Sequence, residues 1–282
     1  MNRKQKNITQ KLFLYLIIIL MLIMALFPIF FSFSASLRTQ EDLFSSMFPF
    51  TIKSLIPSQV TLENYIGIFN EYNFIQPIIN TLIVTVSTIF FGCLVNSIAA
   101  FALSAFSFRG KKILILLIMI SFMVPFEAIA IPTYSVVNDL GMIDSYAGMV
   151  VPAIADGLCV FLFMQFFKDF QVSLLESARV DGASWLTIYF KIIMPICIPV
   201  FITAGLMIFM NQWNSYLWPL LVARSPEIRT IQIALNEFSG ERFVKWTYIY
   251  AGSMISAIIP IAIFLPLQKY FVEGITAGGV KG

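Results

Sequence analysis

The stretch Ser173-Leu-Leu-Glu-Ser-Ala-Arg-Val-Asp-Gly182 is short and polar, and it lies between two long apolar spans. Ser173 and Glu176 have the spacing of a capping box, in which each side chain accepts a hydrogen bond from the other residue's backbone amide. A capping box marks the first turn of a helix. The spacing therefore predicts a helix that starts here, outside the bilayer.

The residues that follow predict a sharp turn. Leu174, Leu175 and Ala178 share one face at helical spacing. Gly182 can adopt the left-handed conformation that turns the chain, and we expect a second helix to run from about Ser184 into the membrane. The predicted product, residues 169–191, is a small helix-turn-helix with an apolar, small-residue tip, called the knob below. An ordinary loop helix lying on the membrane surface is the alternative.

The composition around the knob is that of a polytopic membrane protein. Of 282 residues, 59% are apolar and only 12% are charged. A helix needs about 20 apolar residues to cross a bilayer. We expect an all-α fold with six transmembrane helices in a single domain, residues 1–282. The six predicted spans are Leu12–Phe33, Ile78–Phe106, Ile113–Tyr134, Met149–Phe167, Ile192–Val222 and Tyr248–Leu267.

The distribution of basic residues predicts the orientation, because short basic loops stay in the cytoplasm. Twelve of the 18 basic residues lie before the first span, between spans two and three, between spans four and five, or in the tail. We therefore expect both termini and the knob to be cytoplasmic in a multi-pass protein of the cell membrane. This bias also accounts for the net charge of +3 without a nucleic-acid partner.

The sequence argues against catalysis by this chain. It contains no histidine, and its three cysteines, Cys93, Cys159 and Cys197, fall inside predicted spans, where small apolar packing residues are expected. We see no metal-ligand spacing and no G-x-x-x-x-G-K-[ST] phosphate loop. The sequence therefore predicts a non-catalytic protein with no cofactor or metal, whose ATP hydrolysis, if used, belongs to another chain.

The fifth span carries unusual side chains. Asn211, Gln212, Trp213 and Asn214 place three amides and an aromatic ring where lipid-facing helices have aliphatic residues. Amides that bind hydroxyls and rings that stack on sugar faces suit a carbohydrate pathway. Helix packing and an interfacial aromatic belt are the alternative.

Two acids within the spans are further candidates for the pathway, because ionisable groups at such depth are rare. Asp156 in the fourth span is a candidate pathway residue, with a polar cavity or a neighbouring helix as the alternative surroundings. Glu127 in the third is read as interfacial unless it lies in a substrate or ion path.

The knob sequence resembles the EAA loop of permease subunits of ABC importers, which docks on a cytoplasmic ATPase. Ser177 stands where that family usually has Ala. The likeness extends to Asn80-Thr81-Leu, Phe108-Arg-Gly-Lys111, Asn211 to Pro219 and the ending Tyr270 to Gly282. Together these segments look like the smaller permease of the maltose-type carbohydrate importers of bacteria, which have the type I importer permease fold.

The resemblance implies a set of partners: a homologous second permease in a heterodimer, two ATPase copies, an extracytoplasmic solute-binding protein and a carbohydrate, most simply an oligosaccharide, with lipid around the bundle. It implies that the Ala223 to Trp246 loop meets the binding protein, and that the cytoplasmic tail, residues 270–282, enters the ATPase interface. The implied ATPase-coupling residues are Glu176, Ser177, Ala178, Asp181 and Gly182, the binding-protein contacts are Ser239, Gly240 and Glu241, and the tail residues are Gly278, Gly279 and Lys281.

Two alternatives remain at this point. The same architecture could carry another polar solute, such as glycerol phosphate, a uronate or a peptide. A secondary transporter is the other, but we find neither the inverted repeats nor the paired intramembrane charges expected of one.

Overall fold

A computed structural model describes residues 3–47, 49–168, 172–240 and 244–277, with the side chains of 3–9, 172–174 and 271–277 left aside. Within these ranges all regular secondary structure is helical, as expected for an all-α protein. The α-helices are α1 Arg3–Ser36, α2 Gln40–Ser45, α3 Ile52–Leu55, α4 Glu63–Asn70, α5 Ile75–Ala105, α6 Lys111–Met123, α7 Phe126–Asp139, α8 Tyr146–Ile154, α9 Gly157–Phe167, α10 Val172–Val180, α11 Trp185–Ile188, α12 Met194–Ile196, α13 Ile198–Trp213, α14 Leu217–Val222, α15 Ile231–Gly240 and α16 Trp246–Ala277. A π-helix covers Tyr189–Ile193, and a 3-10 helix covers Pro226–Ile228.

Three of these helices are single segments long and apolar enough to cross a membrane: Gln10–Ser36, Ile75–Ala105 and Trp246–Tyr270. They correspond to the first, second and sixth predicted spans. Three further spans are possible only if each of three bent helix pairs counts as one crossing, which gives up to six among the described residues. The second, third, fourth and sixth predicted spans begin within three residues of the first residue of an observed helix, α5, α6, α8 and α16 respectively.

The third and fourth predicted spans are broken, which corrects the expectation of continuous helices. α6 and α7 meet at 103° around Val124 and Pro125. Pro125 disfavours a helical conformation for the residue before it, and Val124 is extended accordingly. α8 and α9 meet at 43°, where Ala155 and Asp156 are extended.

The fifth predicted span, Ile192–Val222, is also not one helix. The segments 185–196 and 198–213 meet at 80°, and α14 is separated from α13 by the break at 214–216. Pro195 has no amide hydrogen to donate, and the wide π turn lies just before it. The 80° bend thus lies between Pro195 and Pro199, and the expectation of one continuous helix over Ile192–Val222 was wrong.

The chain forms two compact units. One contains residues 1–74 and 235–258, and the other contains residues 75–234 and 259–282. In the first unit the guanidinium of Arg38, only 1% exposed, donates to Ser46 Oγ at 2.6 Å and to the Lys53 carbonyl at 3.0 Å. It also lies 3.5 Å from the Asp42 carboxylate, so the charge is paired as a buried cation requires. These bonds tie α2 and α3 to the end of α1.

The second unit is built around α5, which packs against α8, α9 and α13. Its apolar core contains Phe101, Phe163, Tyr189 and Val200, all buried. Buried polar side chains are also concentrated on α5: Asn80, Thr81, Thr85, Thr88, Asn96 and Ser97. A helix with polar groups at such depth is one that faces protein rather than lipid, since lipid cannot satisfy them.

Candidate coupling and translocation sites

The knob is built as a helix, a left-handed glycine and a second helix. α10 ends at Val180, and Gly182 follows it with φ 81°, which confirms the predicted left-handed turn. The Ala183 amide donates to the Ala178 carbonyl at 3.0 Å, and the Gly182 amide donates to the Arg179 carbonyl at 3.1 Å. This pair of bonds is a Schellman motif, which satisfies carbonyls that the helix end would otherwise leave unpaired.

The second helix of the knob starts where it was predicted to start. Ser184 caps α11, and its Oγ accepts a hydrogen bond from the Thr187 amide at 3.2 Å. The Arg179 guanidinium donates to the Ala183 carbonyl at 2.7 Å and lies 5.0 Å above the Trp185 ring. Short-range bonds therefore fix the shape of the knob. The described part of α10 begins at Val172, and the Ser173 side chain of the predicted capping box lies outside the described residues.

The structure divides the predicted coupling residues between two faces. Glu176, Ser177, Asp181 and Gly182 are exposed. Ala178 is only 9% exposed and packs into the core of the second unit, with Leu175 against the same core. The expectation that the Leu175 and Ala178 face forms the docking tip is therefore corrected. The outward face instead presents Val180, which is 86% exposed.

Aromatic rings join the knob to α5. The centre of the Trp185 ring lies 4.7 Å from that of Phe106 and 6.3 Å from that of Phe101, two residues near the end of α5. Phe101 in turn lies 5.5 Å from the Tyr189 ring, and the Tyr189 hydroxyl is 2.6 Å from Ser97 Oγ. The knob is therefore attached to a long core helix.

The candidate pathway residues of the fifth span do not share one environment. Asn211 and Asn214 are exposed and Gln212 is half-buried. Trp213 is 0% exposed, and its ring stacks on Phe209 at 5.6 Å. A ring with no accessible face has none to offer a sugar in this conformation, so the assignment of Trp213 to the pathway is corrected to packing.

Asp156 also has a structural role that its sequence position did not show. It is the N-cap of α9, and its Oδ1 accepts from the amides of Leu158 at 2.7 Å and Cys159 at 3.1 Å. The Asp156 amide donates to Asn96 Oδ1 at 2.9 Å, and Asn96 Nδ2 donates to the Ile154 carbonyl at 2.8 Å. The carboxylate thus begins the second half of a broken helix. Glu127 is exposed in the first turn of α7.

The 223–246 segment, predicted as a loop, contains the 3-10 helix and α15. Ser239 and Gly240 are exposed at the end of α15, and Glu241 lies outside the described residues. Near the start of the segment, the Asp144 carboxylate accepts from the amides of Arg224 at 2.9 Å and Ser225 at 2.8 Å, and from the Ser225 hydroxyl. These Ser225 hydrogen bonds hold the pKa of Asp144 below its usual value.

The predicted tail is helical over part of its length, since α16 continues through Ala277. Gly278, Gly279 and Lys281 lie outside the described residues. Sequence reasoning missed Asn80 and Asn96 as site residues, although an amide in an apolar span is a recognisable signal. Asn80 bonds to Glu227, which is 147 residues away in the chain, and Asn96 bonds to Ile154, which is 58 residues away. A local sequence pattern does not reveal contacts between residues so far apart in the chain.

Comparison with known proteins identifies the architecture. Residues 88–275 match the family described as "Binding-protein-dependent transport system inner membrane component". The chain belongs to this family. It is therefore a transmembrane subunit of a binding-protein-dependent importer, and the predicted type I permease fold, membrane location and multi-pass character are confirmed.

Several relatives match over nearly the whole chain. The chain is 33% identical to the arabinooligosaccharides transport system permease protein AraQ of Bacillus subtilis, over 95% of each chain. It is 29% identical to the sn-glycerol-3-phosphate transport system permease protein UgpE of Rhizobium meliloti, over 93% of this chain and 94% of that one. In fold it is similar to a chain in the crystal structure of a bacterial ABC transporter involved in the import of the acidic polysaccharide alginate. That match has a TM-score of 0.81 and 24% identity, and covers 96% of this chain and 99% of that chain.

Proposed function

We propose that this chain is the non-catalytic permease subunit of an ATP-driven importer for a carbohydrate, most simply an oligosaccharide. The observation that carries the coupling role is the knob, with its outward face of Glu176, Val180 and Asp181 and its inward face packed on the core. This outward face leaves two carboxylates and the Val180 side chain open to contact with a complementary surface of another protein. Its proposed occupant is the ATPase.

The coupling mechanism follows from rigid attachment. When ATP closes a pair of ATPases, the docked knob moves with the subunit that holds it. Trp185 passes that displacement to Phe101 of α5 and to Phe106, the residue just after α5, because the rings pack against each other. The bundle then shifts from inward- to outward-facing, and the difference in fit between the two states supplies the coupling free energy. The knob itself performs no chemistry.

The side chains near the break at 214–216 support a neutral, hydroxyl-rich substrate. Asn211, Asn214 and Tyr216 are exposed there, and the whole segment 198–222 contains no Lys or Arg. Amides and a phenol pair well with hydroxyl groups, whereas a phosphate favours Arg or Lys. This favours a sugar over glycerol phosphate, which is the second candidate because relatives carry that name.

The proposed function also implies where the remaining parts of the assembly lie and which partners this chain binds. We place both termini and the knob in the cytoplasm, and the 223–246 segment on the outer side, with Ser239 to Glu241 against a solute-binding protein. The chain would pair with a second, homologous permease and bind two ATPase copies, with residues 270–282 reaching the ATPase interface. The whole chain would act as one permease domain, although its contacts form two compact units.

The experiment is purification of the tagged chain with its partners from native membranes, followed by reconstitution into proteoliposomes. We expect ATP-dependent, binding-protein-dependent uptake of a labelled arabino-oligosaccharide and none of sn-glycerol 3-phosphate. Uptake of the phosphate alone would favour the second candidate. A chain that purifies without an ATPase, or uptake that persists without ATP, would contradict the importer.

A further inference from the structure

Asn80, near the start of α5, uses all the hydrogen-bonding capacity of its side chain. It is 0% exposed, and its Nδ2 donates to the carbonyls of Glu227 and Arg229, both at 2.8 Å. Its Oδ1 accepts from Gln76 Nε2 at 2.9 Å and from the Tyr146 hydroxyl at 2.7 Å. A primary amide has two donor hydrogens and two acceptor lone pairs, and all four are occupied.

The two carbonyls that Asn80 satisfies belong to the segment that leads into α15. The next residue of α5 adds a third bond, because Thr81 Oγ1 accepts from the Ile231 amide at 2.8 Å. Ile231 is the first residue of α15, the helix that ends in the exposed Ser239 and Gly240. Three hydrogen bonds from adjacent residues of α5 therefore fix the entry to this helix.

The opposite end of α5 is attached to the knob. Ser97 bonds to Tyr189, and Phe106 packs on Trp185. The helix has 31 residues, which at 1.5 Å per residue is about 46 Å, longer than the apolar core of a bilayer. One continuous helix thus carries the 227–231 segment at one end and the knob at the other.

We propose that Asn80 is a positioning residue that couples the proposed binding-protein contact to the ATPase. Because Asn80 holds the backbone of Glu227 and Arg229 to α5, any displacement of the external segment also displaces α5. The helix then moves the knob, and with it the docked ATPase. The inference rests on the proposed function. It adds the route by which a loaded binding protein on the outside stimulates hydrolysis inside.

The test separates the hydrogen bonds that the Asn80 amide donates from those that it accepts. Asn80→Asp removes both donors and places a carboxylate oxygen against two carbonyls, yet it can still accept from Gln76 and Tyr146. Tyr146→Phe removes the bond to α8 and leaves both donors to the external segment. Asn138→Ala, which changes an exposed amide near the end of α7, is the matched control.

The measurement is ATP hydrolysis by the reconstituted complex, with and without ligand-loaded binding protein, together with the amount of assembled complex. Since two hydrogen bonds are lost, we expect Asn80→Asp to lower the stimulated-to-basal ratio about tenfold or more. Basal hydrolysis should stay within about twofold of wild type. A purely structural defect would instead lower both the basal and the stimulated rate. Tyr146→Phe and Asn138→Ala should keep the wild-type ratio.

The outcomes decide the inference separately from the proposed function. A wild-type ratio in Asn80→Asp, or an equal loss in Tyr146→Phe, would overturn the positioning role. A wild-type complex that shows no stimulation at all would overturn the proposed function instead. If Asn80→Asp does not assemble, Thr81→Val is used, which removes the bond from the Ile231 amide together with the bond that the Thr81 hydroxyl donates to the Pro77 carbonyl within α5. It should lower the ratio several-fold, and an unchanged ratio would refute the inference.

Discussion

The knob and the break at 214–216 are both places where one helix ends and another begins, but different forces hold them in shape. In the knob, Gly182, Ala183 and Ser184 make hydrogen bonds to residues at most five positions away. The break also has a local bond, from Asn214 Nδ2 to the Met210 carbonyl at 2.7 Å, but its flanking Trp213 and Trp218 are buried in the core, and Trp218 Nε1 donates to the Gly148 carbonyl 70 residues away at 3.1 Å.

The difference has a mechanical consequence. A turn held by its own bonds keeps its shape when its surroundings move, so the knob can transmit a displacement as a rigid body. A turn held by distant helices changes when those helices shift. Gly148 shows how close this packing is, since a Cβ there would lie 3.0 Å from Cγ1 of Val222, the last residue of α14. We therefore expect the break to respond to the transport cycle and the knob to drive it.

The largest effect should come from removing the packing at the break. Trp213→Ala empties a fully buried site beside Phe209, which typically costs about 3 to 5 kcal/mol. We expect a large drop in the thermal stability and yield of the complex. Trp246→Ala, at a ring that is 44% exposed, is the control and should cost far less. A stable Trp213→Ala complex with selectively reduced uptake would return this ring to the pathway.

The next effect concerns the knob. Nothing lies within 4 Å of a Cβ built on Gly182, so only its φ of 81° opposes a side chain. A β-branched residue there costs about 1 to 3 kcal/mol of local strain. Gly182→Val should therefore weaken ATPase co-purification and uptake while the apolar helices still insert. Gly182→Asn should retain more of both, because asparagine tolerates the left-handed region. Equal behaviour of the two variants would refute the backbone argument.

A smaller effect is expected from the exposed amide at the break. Asn211 is exposed, with no hydrogen-bond partner for its side chain among the described residues, so Asn211→Ala should leave stability nearly unchanged. If the amide binds a sugar hydroxyl, its loss costs about 0.5 to 1.5 kcal/mol, which is about two- to tenfold in KM for uptake. Asn138→Ala serves again as the control. Unaltered KM in Asn211→Ala would remove this residue from the pathway.

The smallest effect is expected at Asp144, whose carboxylate is exposed and hydrogen-bonded to Ser225. Because these bonds lower its pKa in the folded state, the stabilisation is complete above the ordinary value of about 3.9 and disappears only as the pH falls below it. Thermal unfolding of wild type and Asp144→Asn should differ by a constant, small amount from pH 7 to about pH 5. Convergence of the two curves already near pH 6 would contradict the lowered pKa.

Much of this fold was accessible from the sequence where the signals are local. The apolar runs predicted the positions of the helices, and Gly182 and Ser184 predicted the turn and cap of the knob. The Val124-Pro125 break carried a signal that we did not use, since a residue before proline avoids the helical region. Other prolines, such as Pro28 and Pro132, lie inside helices without ending them, so the residue type alone does not decide.

By itself, then, the sequence indicated an all-helical membrane protein with six spans, the turn and cap of the knob, and a resemblance to a family. These properties depend on hydropathy and on hydrogen bonds between near neighbours in the chain. Only the tertiary structure decided that Ala178 faces inward, that Trp213 is buried, and that Asn80 binds carbonyls nearly 150 residues away. The physical reason is that burial and long-range hydrogen bonds depend on which helices meet, and periodicity alone does not specify that.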